Sequence, residues 1–220
     1  MTITAVWATV TDFSHLSNTF TTTVSPTAIG DVVVVGAQSY NGVFPQTQGA
    51  PTGGGVTTWN EMATGSGSGI IINTYWGVVT STGSSTLTIT MSGSPNFMFV
   101  SYQQFHSSVS NNWAQDGVGG NNAGSASSGN YPSQSPVGSD ELYVGNAWIG
   151  AGSGTIGGST AGFVYTNFGN GAFNAAQFVY ALGATTPNAY SPAWTQSPSD
   201  IYATLAGLLR IAPQNIVMII

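Results

Sequence analysis

The groups able to do chemistry are few. The 220-residue chain holds seven acids, one basic residue and two histidines, and no cysteine. The acids are Asp12, Asp31, Glu61, Asp116, Asp140, Glu141 and Asp200; the histidines are His15 and His106; the base is Arg210. Asp12-Phe13-Ser14-His15 sets a carboxylate three residues from an imidazole, two of the members a hydrolytic triad needs. No serine stands in a Gly-X-Ser-X-Gly elbow, so a turn or cap is the plainer role for this pair. Asp140 and Glu141 are adjacent. In a strand they point to opposite faces and cannot flank one glycosidic bond together, although another acid could pair with either.

Two histidines without cysteine argue against a structural zinc site. The segment DGVGGNN (116–122) offers a carboxylate, amide oxygens and flexible glycines, which suit Ca2+. It lacks the spacing and acid count of the known calcium loops, and no cofactor is expected. The GGG at 53–55 leads into a strand-like segment rather than a helix, so it reads as a turn and not a phosphate cradle. Trp59, Trp76, Trp113, Trp148 and Trp194 offer faces on which a sugar could stack. Trp76, beside Tyr75 in a strong strand, reads as core. Trp113 lies in a polar stretch and is the best exposed candidate, with Asp116 and Tyr131 as companions in surface contact.

The elements that would position these groups come from an unusual composition. Charged residues make up 4% of the chain, with a net charge of -6, against roughly 25% charged in ordinary soluble domains. No basic footprint exists to release counterions from a nucleic acid or to hold anionic lipid. Hydrophobic residues still amount to 41%, and aromatics to 11%, which is core material that disordered chains lack. The polar surface must then be built from Ser, Thr, Asn, Gln and Gly, whose hydrogen bonds respond little to pH or salt. No segment nears the roughly 20 apolar residues of a membrane-spanning helix. The opening MTITAVWATVTDF has no basic region and no apolar run of signal-peptide length. A surface suited to the outside of a cell, without an export signal, points to a virion protein made in the host cytoplasm and released by lysis.

Strand signals dominate: β-branched and aromatic runs punctuated by Gly, Ser, Asn and Pro. Strands are expected near 2–10, 19–24, 31–38, 56–62, 69–80, 85–91, 97–105, 141–149, 161–167, 175–182 and 201–211. The short links 81–85 and 92–96 suggest an antiparallel meander from about 69 to 105. GDVVVVGA (30–37) cannot alternate wet and dry, so it reads as a central strand covered on both faces. SDELYVGN (139–146) is a weaker version, and Asp31 and Asp140 read as residues that open these strands. GSPNFMFVSY (93–102) resembles QSPSDIYATL (196–205) in the same order. Either the chain is duplicated, or one sandwich needs equivalent patterning in equivalent strands. The polar stretch 107–139 reads as a long surface loop, a place where contacts often lie. The fold expected is a single-domain all-β, jelly-roll-like antiparallel sandwich over 1–212. An apolar tail follows at 213–220 (Ile216, Val217, Met218, Ile219, Ile220), either packed on its own domain or added to a neighbouring subunit.

The order of GDVVVVGA, GGGVTTWNEM, TYWGVVTST, TLTITMSGS and FMFVSYQQF, with DELYVGNAW later, resembles a β-sandwich domain of tailed-phage minor tail proteins, notably those of actinobacterial hosts. The similarity runs over roughly 30–210. It implies a virion structural protein without catalytic residues, placed in the tail tip or decorating the capsid. The expected partners are other virion proteins, further copies of the chain in a homo-oligomer, and a host cell-wall glycan or glycolipid. A carbohydrate-binding module of a secreted protein is the alternative, and a hydrolase is the third reading.

Overall fold

The computed structural model describes residues 2–41, 46–67, 69–150, 155–169 and 175–212, with the backbone alone for Ser14, His15 and Val118. The apolar tail residues Ile216 to Ile220 lie outside the described residues. Fifteen strands are formed: β1 (Ile3–Ala5), β2 (Val10–His15), β3 (Thr19–Val24), β4 (Val32–Tyr40), β5 (Thr52–Gly53), β6 (Val56–Gly67), β7 (Ile70–Val79), β8 (Ser85–Thr90), β9 (Phe97–Ser107), β10 (Trp113–Asn130), β11 (Glu141–Ile149), β12 (Thr155–Gly157), β13 (Val164–Gly169), β14 (Ala175–Ala184) and β15 (Ala193–Ile211). All pairings are antiparallel. The chain is all-β and sandwich-like, as its alternation and turn chemistry predict.

Three sheets stack. Sheet I runs β1-β9-β4-β7-β6, with β2 sharing the β1 edge of β9; sheet II runs β10-β15-β11-β14-β13, with β12 on β15; sheet III is β3-β8-β5. Sheet I lies between the other two, and β4 shows why four valines follow one another. Val33 and Val35 pack with Phe20, Leu87 and Ile89 of sheet III. Val32 and Val34 pack with Leu142 and Val144 of sheet II. All four valines are fully buried, so a period-2 alternation would have put a polar group into a core. In β8 the alternation is kept: Leu87 and Ile89 are buried, and Thr86 and Thr90 are exposed on the open face.

Sheet II needs its own cover on the side away from sheet I. The long β15 supplies it. Residues 202–209 pair with β11, while its first half runs on beyond, paired only with β10 and β12. Register shifts at Asp116/Gly120 and Ala126/Ser128 bend the β10–β15 ribbon. Trp194 thereby reaches Tyr131, Tyr143 and Val179 on the outer face of sheet II.

Sheets I and II repeat one strand order, β9-β4-β7-β6 against β15-β11-β14-β13. The register corrects the alignment suggested by the two Gly-Asp-like motifs. Gly36 sits opposite Thr74 and Ser101 and faces sheet II. Gly145 faces away from it, towards Tyr131 and Val179. The residue equivalent to Gly36 is Asn146, opposite Phe178 and Leu205. These two meet across the interface. A Cβ on Gly36 would overlap the Asn146 carboxamide, so only glycine lets the central strands approach this closely. Gly207 does the same for the Met62 side chain.

Three expectations are corrected. Residues 107–139 are not a long surface loop; most of them form β10, the partner of β15 along nearly its whole length. The stretch from 69 to 105 is not a meander, because β8 leaves for sheet III while β7 and β9 flank β4. The expected strand 2–10 is broken at 6–9, where the chain steps from one half of β9 to the other.

Candidate functional site

The residues expected to contact a partner lie inside. Trp113 is buried at 6% exposure, and its indole N–H donates to the Gly30 carbonyl at 3.1 Å, tying β10 to the turn before β4. Tyr131 is buried at 1% and donates its hydroxyl to Gln177 Oε1 at 2.8 Å. Asp116 is buried at 7%, and its Oδ2 accepts the Val137 N–H at 3.0 Å. The 116–122 segment is a strand with one register shift, so its oxygens are not wrapped around a point. Among the described residues, no group of three or more His, Cys, Asp or Glu comes together to hold a metal. Trp148 and Trp194 are fully buried, and Trp59 and Trp76 pack against the core. Of the Asp12–His15 pair, the His15 side chain lies outside the described residues.

Two polar clusters were not foreseen. In the first, Asp116 of β10 meets Glu141 of β11, under the stretch 137–140 that closes over them. Glu141 is buried at 1% exposure. Its Oε1 accepts the Gly138 N–H at 2.8 Å, while Oε2 has no partner as an anion. As an acid, the Glu141 carboxyl hydrogen-bonds to the Asp116 side chain. Burial, the hydrogen bond to Asp116 and its charge raise the Glu141 pKa from 4.5 to about 7, against the pull of the Gly138 N–H and of Arg210. The pair is closed to a substrate, so it serves the fold and not a glycosidic bond. From sequence the two acids are weighed apart, Glu141 beside Asp140 and Asp116 as a surface contact or Ca2+ ligand, because 116–122 reads as part of a loop.

The raised value has a thermodynamic consequence. Between pH 4.5 and about 7 the folded chain holds a proton at Glu141 that the unfolded chain has released. The stabilisation is therefore complete below 4.5 and is lost as pH rises through 7. The expected loss is about 1–2 kcal/mol once solvent screening is allowed for. Glu141→Gln should flatten this slope in a series of melting curves. It should leave the variant more stable than wild type at pH 8; equal slopes would contradict the shared proton.

The second cluster closes the start of β4. Asp31, buried at 3%, lies 2.7 Å from His106 Nδ1 through Oδ1 and accepts from Gln104 Nε2 through Oδ2. Gln104 also donates to Thr27 Oγ1 at 3.2 Å and accepts the Thr27 N–H at 3.1 Å. The antiparallel register, with Val32 opposite Phe105, makes this meeting unavoidable. Asp31 is thus a strand-opening residue, as expected, with the added task of fixing the half-exposed His106.

At the interface of sheets I and II, Asn146 Nδ2 donates to Thr74 Oγ1 at 2.9 Å. Its Oδ1 accepts from Ser101 Oγ at 3.2 Å and Gln38 Nε2 at 3.3 Å. All four side chains are buried. No helix among the described residues is long and apolar enough to cross a membrane. No protein-family model, no curated protein and no solved structure matches this chain.

Proposed function

We propose that this chain is a virion structural protein of a tailed phage, placed at the tail tip or on the capsid surface. It acts by assembling with its neighbours and meeting the host surface, and it performs no catalysis. One observation carries the reading: where the ionisable groups go. Asp31, Asp116 and Glu141 are buried and bonded within the fold, so three of the seven acids hold strands together. What faces outward is mostly hydroxyl, amide and glycine backbone. Such a surface binds by fit and hydrogen bonding, which suits permanent assembly in a variable medium. The sequence resemblance to minor tail proteins supports the same reading, as does a rigid body of three stacked sheets. Copies arranged by symmetry are the natural form of such a part.

Immunogold labelling of intact particles with an antibody to this chain tests the proposal. Label on the tail tip or on the shell supports it and separates the two positions. Label found only in the particle-free fraction of the lysate would sink it.

A further inference from the structure

The break at 6–9, between β1 and β2, creates a feature that none of the expected contact residues touches. A surface cavity of about 330 Å³ opens where sheets I and III part, lined by Val6, Trp7, Val10, Thr23, Val24, Ser25 and Thr27. Its volume is near the lower end of the roughly 300–1,000 Å³ of small-ligand sites. One wall is apolar. Trp7 is only partly buried. The other wall is formed by the exposed residues Thr23, Ser25 and Thr27; Thr23 stands opposite Thr86 and turns its hydroxyl to the open face of sheet III, so the hydroxyls of Ser25 and Thr27 are the polar groups on this side. No charged side chain lines the cavity.

The walls are held in place. Val6 N–H donates to the Gln104 carbonyl at 3.1 Å, and Gln103 Nε2 donates to the Trp7 carbonyl at 2.7 Å. Thr9 Oγ1 donates to Gln103 Oε1 at 2.8 Å. The Trp7 ring leans on buried Tyr102, with centroids 6.1 Å apart. On the opposite wall, Thr27 Oγ1 accepts from Gln104 Nε2, which leaves the Thr27 O–H free to donate outward. A fixed aromatic and a fixed hydroxyl donor form a preorganised pair, and preorganisation lowers the cost of binding.

We propose that this cavity binds one neutral pyranose unit of a glycan. A pyranose presents an apolar face of C–H groups, which suits the Trp7 side, and a rim of hydroxyls, which suits Thr27 and its neighbour Ser25. An anion or cation would find no countercharge here. A hydrocarbon chain would leave the Thr27 O–H without an acceptor. The proposal rests on the host-contact reading for its biological setting, while its test uses the isolated chain.

Titration calorimetry and saturation-transfer NMR of the full chain against cellobiose, maltose, lactose, N,N′-diacetylchitobiose and methyl α-mannoside provide that test. Saturable binding of at least one sugar is expected, with Kd on the order of 1 mM. Trp7→Ala should weaken it at least about tenfold and Trp7→Phe less. Thr27→Val should weaken it about three- to tenfold, the range of one lost hydrogen bond. Phe13→Ala, in the separate cavity formed with Asp12 and Phe168, should leave it unchanged. Melting curves of the Trp7 variants show that the fold persists. The proposal is overturned if wild type binds none of the five sugars, if Trp7→Ala binds as wild type does, or if Phe13→Ala is the variant that loses binding. Labelled particles together with sugar-silent protein would remove the pocket and leave the virion reading standing.

Discussion

Gly36→Ala lowers stability by about 3–5 kcal/mol, the upper range of overpacking combined with a broken buried polar network. For a chain of this size that corresponds to a melting temperature about 6–20 °C lower. The added methyl has no space to enter, because the Asn146 carboxamide already occupies it. Moving Asn146 aside would strand Gln38, Ser101 and Thr74, the three groups it satisfies within the interface. Asn146→Ala alone costs about 2–3 kcal/mol, from the same unpaired groups. The double variant Gly36→Ala/Asn146→Ala is expected to lose at least about 1 kcal/mol less than the sum, since the new methyl fills space the carboxamide vacated. Additive losses would mean that sheets I and II do not meet at these residues.

Trp148→Ala is the second large effect, at about 3–5 kcal/mol. Trp148 is fully buried in the same interface, stacked on Tyr40 at 5.9 Å and edge-on to Phe99 at 5.0 Å. Its neighbours Ile70, Ile72, Ala203 and Leu205 belong to paired strands, which cannot collapse into the cavity without shifting a ladder. Chemical denaturation should show a lower midpoint with an unchanged slope. Trp148→Phe, which keeps ring contact with Phe99, should recover part of the loss. A Trp148→Ala midpoint near that of wild type would show that this side chain is not the centre of the packing.

The central strands were legible because burial on both faces leaves a mark in sequence. A run such as Val32 to Val35 admits few other readings, and DELYVGNAW gave β11 its full extent. β10 was not legible, for a physical reason. Its Gly, Asn and Ser residues look like loop chemistry, but they are small because β10 lies tight against β6. Gly119 sits against Met62 and Ala63, Asn121 against Gly65, and Ala123 against Gly67. Strand propensity is weak there, and the ladder to β15 overrides it. The length of the supposed loop was itself a warning, since compact domains rarely hold more than about 12–15 residues without structure.

Misreading β10 displaced the expected site. Trp113, Asp116 and Tyr131 were given to a surface because the segment was given to a surface. Once the segment is a strand, they pack against Gly30, Val137 and Gln177. The Asp31–His106 contact was within reach of sequence reasoning, because pairing the start of one central strand with the end of its neighbour brings the two together. The Trp7 cavity was not, because it depends on a break in a strand that the apolar pattern of 2–10 does not reveal.

In the proposed role, neutral, close-fitting surfaces hold this chain in the particle. Its copy number on density-gradient-purified virions, measured by quantitative mass spectrometry before and after a wash in about 1 M NaCl, tests this most directly. That salt cuts the reach of charge–charge attraction to about 3 Å, so contacts that hold by charge let go. A fixed number of copies per particle, equal before and after the wash, is the expected result. A chain absent from purified particles, or one stripped from them by salt, would contradict it.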